Sequence, residues 1–192
     1  MENLEKSNYV FPQVEWEIRD FKSEGLILDL GGGGEGVIGQ LKGQDVVAID
    51  FQKEELLEAP DGPLKVIMDA RELKFLDESF YSATAFFSLM YIRKSEDQLQ
   101  VFQEAWRVLK PGGVLHFWDV DISQKPDTDT KYFIVHLLYR IGDQTTETGY
   151  GMPWPEDPRG IDHYRNLAVK AGFVENDFEK NGNTFYFCFL KE

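Results

Sequence analysis

The sequence predicts an α/β fold, a doubly wound and mostly parallel sheet of seven strands in which the last strand runs antiparallel. Two observations support this prediction. Short apolar segments alternate along the chain with segments of helical periodicity, which is the pattern of parallel strands joined by right-handed crossovers. Near the C-terminus, two apolar segments flank Asn181-Gly182-Asn183 instead, and this spacing indicates an antiparallel hairpin.

Length and composition are those of a single globular domain. The 192 residues are 42% hydrophobic and 14% aromatic, so we expect one domain over residues 1–192 with a full core. The net charge of −14, with no basic cluster, argues against nucleic acid as a partner. No segment has the length of a membrane span, and the first residues lack signal-peptide features. We therefore expect a cytoplasmic protein, a monomer or homodimer, that does not bind membranes.

Metal binding is not expected. Cys188 is the single cysteine, and the three histidines fall on three different predicted elements, so no metal-ligand spacing is present.

Residues 26–36, LILDLGGGGEG, predict a strand, a glycine turn and the start of a helix. The Leu and Ile residues around Asp29 indicate a strand that is buried on both faces. The four glycines let a ligand approach the backbone closely, because no Cβ intervenes. A helix that begins near Gly36 would direct free N–H groups at that ligand. Together these features predict a nucleotide-cofactor site.

The elements that follow alternate in type. A short helix at 37–41 precedes the next strands, which we expect at 46–49, 64–68, 83–87 and 114–118. A short helix is expected at 54–58. A longer one should begin at Ser95, which forms a capping-box pattern with Gln98. Pro111-Gly112-Gly113 should end that helix.

The two ends of the chain are less regular. Residues 1–24 form a polar lead-in with scattered aromatics, for which we expect one short helix. An insert at about 125–160 should contain a hairpin or a strand and loop, with its first strand at 132–141. A helix at 162–171 and strands at 173–177 and 184–190 complete the domain.

These segments resemble the class I S-adenosylmethionine-dependent methyltransferases of the type 11 kind, over nearly the whole chain. LDLGGGG is similar to the first motif of that family, LDLGCGTG. Further similar segments are VVAID, MDA, LDESFYSATAFFSLMYI, EAWRVLKPGGVLHF and NTFYFCFL. The resemblance implies a Rossmann-like fold, S-adenosylmethionine as the cofactor, and an enzyme that transfers a methyl group to a small-molecule acceptor.

The resemblance also implies a set of cofactor residues. Asp29 would orient the ammonium group, Asp50 would accept both ribose hydroxyls, and Asp69 would accept the adenine amino group. The full set is Asp29, Gly31, Gly32, Gly33, Asp50, Phe51, Asp69, Ala70, Ser88, Leu89 and Met90. For Asp69, a surface ion pair with Arg71 is the competing interpretation.

The acceptor side is less defined. Its candidates lie at strand ends or in the insert, and local packing explains each of them equally well: Tyr91, Trp118, Asp119, Tyr150 and Trp154. The insert is the predicted substrate-facing lid, because functional loops gather at the carboxyl edge of an α/β sheet. No catalytic residue is identified, since a general base is optional for transfer from a sulfonium.

Glu35 departs from the family, which usually has its third glycine at this position. A carboxylate close to the carboxylate of the cofactor would be unfavourable unless it points away. We expect Glu35 to turn outward into the first turn of the following helix, where the dipole favours an acid. A loop shifted by one residue is the alternative.

Two other functions fit part of the sequence. Gly31, Gly33 and Gly36 satisfy G-x-G-x-x-G, and Asp50 follows about 20 residues later, as in an NAD(P)-binding oxidoreductase. The position of Asp29, the LKPGG segment and the closing hairpin favour the methyltransferase. A protein that binds S-adenosylmethionine or S-adenosylhomocysteine without catalysis would keep every motif.

Overall fold

The computed structural model describes residues 8–157 and 159–192. The strands, in chain order, are β1 (Asn8–Val10), β2 (Val14–Glu17), β3 (Ile27–Leu30), β4 (Val46–Asp50), β5 (Leu64–Ile67), β6 (Phe80–Phe86), β7 (Leu109–Val120), β8 (Tyr132–Ile141), β9 (Gln144–Pro153), β10 (Val174–Asn181) and β11 (Thr184–Leu190). The α-helices are α1 (Val37–Lys42), α2 (Lys53–Glu58), α3 (Ser95–Val108) and α4 (Ile161–Ala171). Short 3-10 segments lie at Gly43–Asp45 and Leu89–Tyr91.

The central sheet has the order β10-β11-β7-β6-β3-β4-β5. Strands β3 to β7 run parallel, and β11 pairs antiparallel with both β7 and β10. The α/β fold with a mostly parallel sheet and antiparallel C-terminal strands is thereby confirmed. The chain leaves β3 toward β4 on one side and returns to β6 on the other, so the carboxyl ends of these strands border a topological switch point.

The two faces of the central sheet bury different partners. Alternate residues of each strand point to opposite faces, and on one face Leu28 and Phe117 pack with Phe102 of α3 and Tyr164 of α4. The other face packs against α1, α2 and a second sheet, and that cluster includes Ile27, Ala48, Val37, Leu56 and Phe133.

The second sheet has four strands. β8 pairs in parallel with β1 and then with β2 along one side, and in antiparallel with β9 along the other. β8 and β9 form the hairpin that was one of the two predicted forms of the insert.

The short helix predicted within residues 1–24 is wrong over the described residues 8–24, which contain strands instead. Val14 and Trp16 are buried while Glu15 and Glu17 are exposed, which is the period of a strand with one buried face. These residues find their hydrogen-bond partners in β8, more than a hundred positions later in the chain.

Two local features differ from the prediction, although α3 begins at Ser95 as expected. Ser95 does not cap α3, because Lys94 is the N-cap residue and makes no side-chain capping bond. The Pro111-Gly112-Gly113 segment lies within β7, where the β6–β7 register shifts, rather than between helix and strand. Among the described residues, no helix is long and apolar enough to span a membrane.

Candidate active site

A cavity of about 900 Å³ opens at the carboxyl ends of β3, β4, β5 and β6. It lies at the topological switch point, where ligands of open α/β sheets bind. Ten of the predicted cofactor residues line it: Asp29, Gly31, Gly32, Gly33, Asp50, Phe51, Asp69, Ala70, Ser88 and Leu89. Met90 is fully buried beside the cavity and does not line it.

The glycine loop follows β3 and has no room for side chains. Gly31 has φ 75°, and a Cβ there would lie 2.4 Å from the Cβ of Ser88. A Cβ on Gly32 would lie 2.5 Å from Asp29 Oδ2. The N–H groups of Gly31 and Gly32 donate to the carbonyl of Ile49 at 2.9 and 3.0 Å. Glycine therefore permits both the backbone conformation and the close approach to two neighbouring elements.

Asp29 forms part of the cavity floor and is only 2% exposed. Thr84 Oγ1 donates a hydrogen bond to Asp29 Oδ1 at 2.6 Å. Burial raises the pKa of Asp29 to about 7, against the opposing effect of the Thr84 bond. A cationic group bound nearby would favour the ionised form of this carboxyl group.

Asp50 stands at the end of β4 with its side chain half-buried. Its Oδ1 accepts a hydrogen bond from the N–H of Gln52 at 2.8 Å, and burial raises its pKa. Phe51 follows with 71% of its surface exposed at the cavity wall. A carboxylate with free acceptor capacity beside an uncovered aromatic ring can bind a diol next to a planar base.

Asp69 is engaged in an ion pair, as the competing interpretation held. Arg71 Nη2 lies 2.6 Å from Asp69 Oδ2, and Arg71 Nη1 lies 3.1 Å from Asp97 Oδ2. The hydrogen bond from Arg71 lowers the pKa of Asp69. Arg71 and Asp97 also line the cavity, so the ion-paired group belongs to the site.

Glu35 does not lie in the first turn of α1, so that expectation is wrong. The helix begins after Gly36, and its first turn contains no acid. The Glu35 carboxylate instead accepts hydrogen bonds from the hydroxyls of Thr148 and Tyr150 on β9. The insert therefore supplies the hydrogen-bond partners of Glu35, the residue that departs from the glycine motif of the family.

The acceptor candidates separate into two groups. Tyr91 and Tyr150 line the cavity. Asp119 is 0% exposed, and the buried Trp118 packs on Phe86 in the core. Trp154 packs on Phe133, and none of these three lines the cavity.

The hydroxyls of Tyr91 and Tyr150 keep their protons at neutral pH, so neither can act as a general base there. Burial, together with the nearby Glu35 and Asp119, raises the pKa of Tyr91 to about 12, although the N–H of Gly151 hydrogen-bonds its oxygen. Burial and Glu35 raise the pKa of Tyr150 further. Both groups are protonated at neutral pH, so each can donate a hydrogen bond.

Several residues that line the cavity were not predicted as site residues from the sequence. They are Glu55, Glu58, Met68, Phe86, Phe87, Ile92, Arg93 and Gly149. Phe87 is notable because it follows β6 with φ 48°, in the left-handed region that aromatic residues rarely occupy. Its ring stacks on Tyr150 at 5.2 Å between centroids, and that partner could not be found from the Phe87 segment alone.

Residues 28–117 match the protein family described as "Methyltransferase domain". This match, over slightly less than half of the chain, supports a class I S-adenosylmethionine-dependent methyltransferase. The matched segment contains the glycine loop and every predicted cofactor residue.

A curated protein with a methyltransferase name is similar in sequence to this chain. The chain is 29% identical over 169 residues to a protein named sterol 4-C-methyltransferase strm-1 from Caenorhabditis elegans. That alignment covers 86% of this chain and 47% of the relative, so the chain spans about half the length of this curated protein.

Solved structures share the fold. The PH0226 protein from Pyrococcus horikoshii OT3 is 23% identical, with a TM-score of 0.64 over 88% of this chain and 82% of its own. An S-adenosylmethionine-dependent methyltransferase from Methanosarcina mazei is 19% identical, with a TM-score of 0.61 over 89% and 94%. At these identities the likeness concerns the fold alone.

The family cofactor, S-adenosylmethionine, is compatible with the residues present. The cavity has the volume of a cofactor site. Its acidic side chains outnumber its basic ones, which suits a ligand with a sulfonium and an ammonium group. Glu35, the one acid expected to conflict with the ligand, is already hydrogen-bonded to β9.

Proposed function

We propose that this chain transfers the methyl group of S-adenosylmethionine to a small-molecule acceptor. The observation that carries the proposal is one continuous cavity. Asp29 and Asp50 line it, and so do Tyr91 and Tyr150. A cofactor and an acceptor could therefore lie in contact within one cavity.

The cofactor would be held by groups at the strand ends. Asp50 has acceptor capacity for the ribose hydroxyls, and Phe51 offers an exposed ring beside it. Asp29 would interact with the ammonium group, directly or through water. Both carboxylate oxygens of Asp69 already accept hydrogen bonds from Arg71. Asp69 would accept a hydrogen bond from the adenine amino group with the lone pairs that remain.

The chain would contribute mainly orientation. When bound, S-adenosylmethionine supplies an already electrophilic methyl group on sulfur. The walls formed by Phe86, Phe87 and Leu89 would exclude water, and positioning of this kind contributes roughly 7–11 kcal/mol to lowering a barrier. Tyr91, protonated at neutral pH, would orient the acceptor by donating a hydrogen bond.

An apolar acceptor is favoured over a highly charged one. The part of the cavity that we assign to the acceptor is lined by the aromatic rings of Phe86, Phe87, Tyr91 and Tyr150. The C. elegans relative is named for a sterol, which is also apolar. At 29% identity and half the length of that protein, this name supports an acceptor class and no particular compound.

Ligand-dependent thermal stability tests the cofactor. S-adenosylhomocysteine at about 100 times its Kd should stabilise the folded chain by about 2.7 kcal/mol, because it binds only the folded state. NADH at the same concentration should leave the melting temperature unchanged. Stabilisation by NADH alone would identify the oxidoreductase instead.

Catalysis needs a separate test. Incubation with methyl-labelled S-adenosylmethionine and a library of apolar and aromatic small molecules should label at least one compound. Binding of the cofactor with no labelled product across such a library would favour the non-catalytic binding protein.

A further inference from the structure

The residue that departs from the family's glycine motif is hydrogen-bonded to the insert. Glu35 Oε1 accepts a hydrogen bond from Thr148 Oγ1, and Glu35 Oε2 accepts one from the Tyr150 hydroxyl at 3.1 Å. Hydrogen bonds to an ionised acceptor are about twice as strong as neutral ones. Both oxygens of one carboxylate are thus used to hold one strand.

The geometry of β9 suits this contact. Thr148, Tyr150 and Met152 are two residues apart, so their side chains lie on the same face of the strand. These three are half-buried or buried, whereas Glu147, Gly149 and Gly151 are exposed. Tyr150, on this inward face, lines the cavity.

The main chain of Glu35 is held as well. Gln40 Nε2 donates to the Glu35 carbonyl at 2.6 Å and to the Tyr139 hydroxyl at 3.1 Å. Tyr139 lies in β8 and is 2% exposed. Both strands of the hairpin are thereby connected to the glycine loop.

The contact determines which part of Tyr150 faces the cavity. Its hydroxyl is used by Glu35, and its ring lies parallel to that of Phe87, with an interplanar angle of 7°. Phe87 and Tyr150 both line the cavity. An acceptor would therefore meet an aromatic surface here rather than a free hydroxyl.

We propose that Glu35 is a positioning residue that fixes β9 against the glycine loop and so places the Tyr150 ring as a wall of the acceptor site. The flat wall favours a flat or apolar acceptor. The role of this wall toward an acceptor rests on the proposed methyl transfer, while the attachment of β9 by Glu35 does not.

Hydrogen–deuterium exchange of residues 144–153 tests the attachment. Glu35→Ala should raise exchange in this segment by about tenfold or more, because both hydroxyl partners lose their acceptor. Glu35→Gln keeps a carbonyl acceptor and should restore protection to within about threefold of the original chain. Glu54→Ala removes an equivalent charge from the exposed face of α2 and should change nothing. Unchanged exchange in Glu35→Ala, or no rescue by Glu35→Gln, would overturn the proposal.

Partner variants and two reference measurements separate the outcomes. Thr148→Val with Tyr150→Phe should raise exchange as much as Glu35→Ala, and adding Glu35→Ala to this pair should raise it no further. An additional increase in the triple variant would contradict a shared interaction.

Exchange in β7 serves as the internal reference for global unfolding. Calorimetry with S-adenosylhomocysteine on the original chain, run in parallel, tests the proposed function alone, because failure to bind would leave the exchange result unaffected.

Discussion

At the scale of single residues, burial controls the protonation of two carboxyl groups. Asp29 and Asp119 are both almost completely buried, and burial raises their pKa values to about 7 and about 8. Asp29 lines the cavity and can respond to a bound cation. Asp119 lies in the core, where its Oδ1 accepts from the N–H of Val120 at 2.7 Å. Hydrogen bonds from Val120, Met90 and Tyr164 and the nearby Arg159 lower its pKa, but burial has the larger effect.

Asp119→Asn should make stability less dependent on pH. The folded chain retains the Asp119 proton up to about pH 8, whereas the unfolded chain loses it near its ordinary pKa of about 4. Between these values the unfolded state binds fewer protons, so the free energy of unfolding falls as pH rises. The stability of the variant relative to the original chain should therefore increase from about pH 4 to about pH 8 and stay constant above that.

Urea unfolding at three pH values across this range would measure the difference. Asp45→Asn, at an exposed position, is the matched control and should show no such trend. If the difference for Asp119→Asn did not vary with pH, the Asp119 carboxyl would ionise normally in the folded chain.

Asp50→Ala should weaken cofactor binding without unfolding the chain. Loss of a carboxylate that accepts from a ribose would reduce the affinity for S-adenosylhomocysteine by about tenfold or more, since hydrogen bonds to charged groups contribute about 1.5–3 kcal/mol. Asp50 is half-buried with a raised pKa, so its removal relieves a desolvation cost. Titration calorimetry and thermal melts, with Asp45→Ala as the control, would measure both effects. Unchanged affinity would remove Asp50 from the ribose site.

At the scale of elements, the N-terminal strands are part of the core. Trp16 of β2 is buried and its Nε1 donates to Thr184 Oγ1 of β11 at 2.8 Å. The contact links the second sheet to an inner strand of the central sheet. Residues ahead of the glycine loop thus support the sheet that forms the cavity.

Trp16→Ala should destabilise the chain by about 3–5 kcal/mol, the usual cost of removing a large buried aromatic side chain. Glu17→Ala on the exposed face of the same strand should cost at most about 0.5 kcal/mol, because its ion pair with Arg19 is exposed. Chemical denaturation of the two variants would compare them. A loss below about 1 kcal/mol for Trp16→Ala would mean that β2 packs only weakly.

At the scale of the whole molecule, two hydrophobic clusters share one sheet. The first contains α3 and α4, and the second contains α1, α2 and the second sheet. The inner strands β3, β4, β6 and β7 contribute residues to both, so neither cluster can lose its packing without exposing the other. This arrangement makes the two sheets parts of one cooperative unit.

Thermal unfolding should therefore proceed in one transition. Far-ultraviolet circular dichroism reports all elements. Tryptophan fluorescence is weighted toward the second cluster, because Trp16, Trp118 and Trp154 contact it, whereas Trp106 packs on the first. The two signals should give coincident midpoints, and S-adenosylhomocysteine should raise both equally. Separate midpoints would show that the second sheet unfolds independently.

Local patterns were enough to predict the central sheet and most of the cofactor end of the site. The segment around Asp29 and the polar residues after β4 and β5 lie where predicted, because a parallel strand and its carboxyl end are defined by a few consecutive residues. Their roles toward the cofactor stay predictions. The alternation in Val14–Glu17 was also present in the sequence, but four residues are too short to identify a strand without its partner.

Local periodicity and motifs were thus sufficient to predict the fold class, the resemblance to methyltransferases and most residues that border the cavity floor. Other features could be learned only from the folded chain: the lead-in pairs with the insert, Asp119 and Trp154 do not line the cavity, and Glu35 contacts Thr148 and Tyr150. Each of these depends on contacts between residues far apart in the chain. The partners of Glu35 lie 113 and 115 positions away, a pairing set by the packing of two sheets that no local pattern encodes.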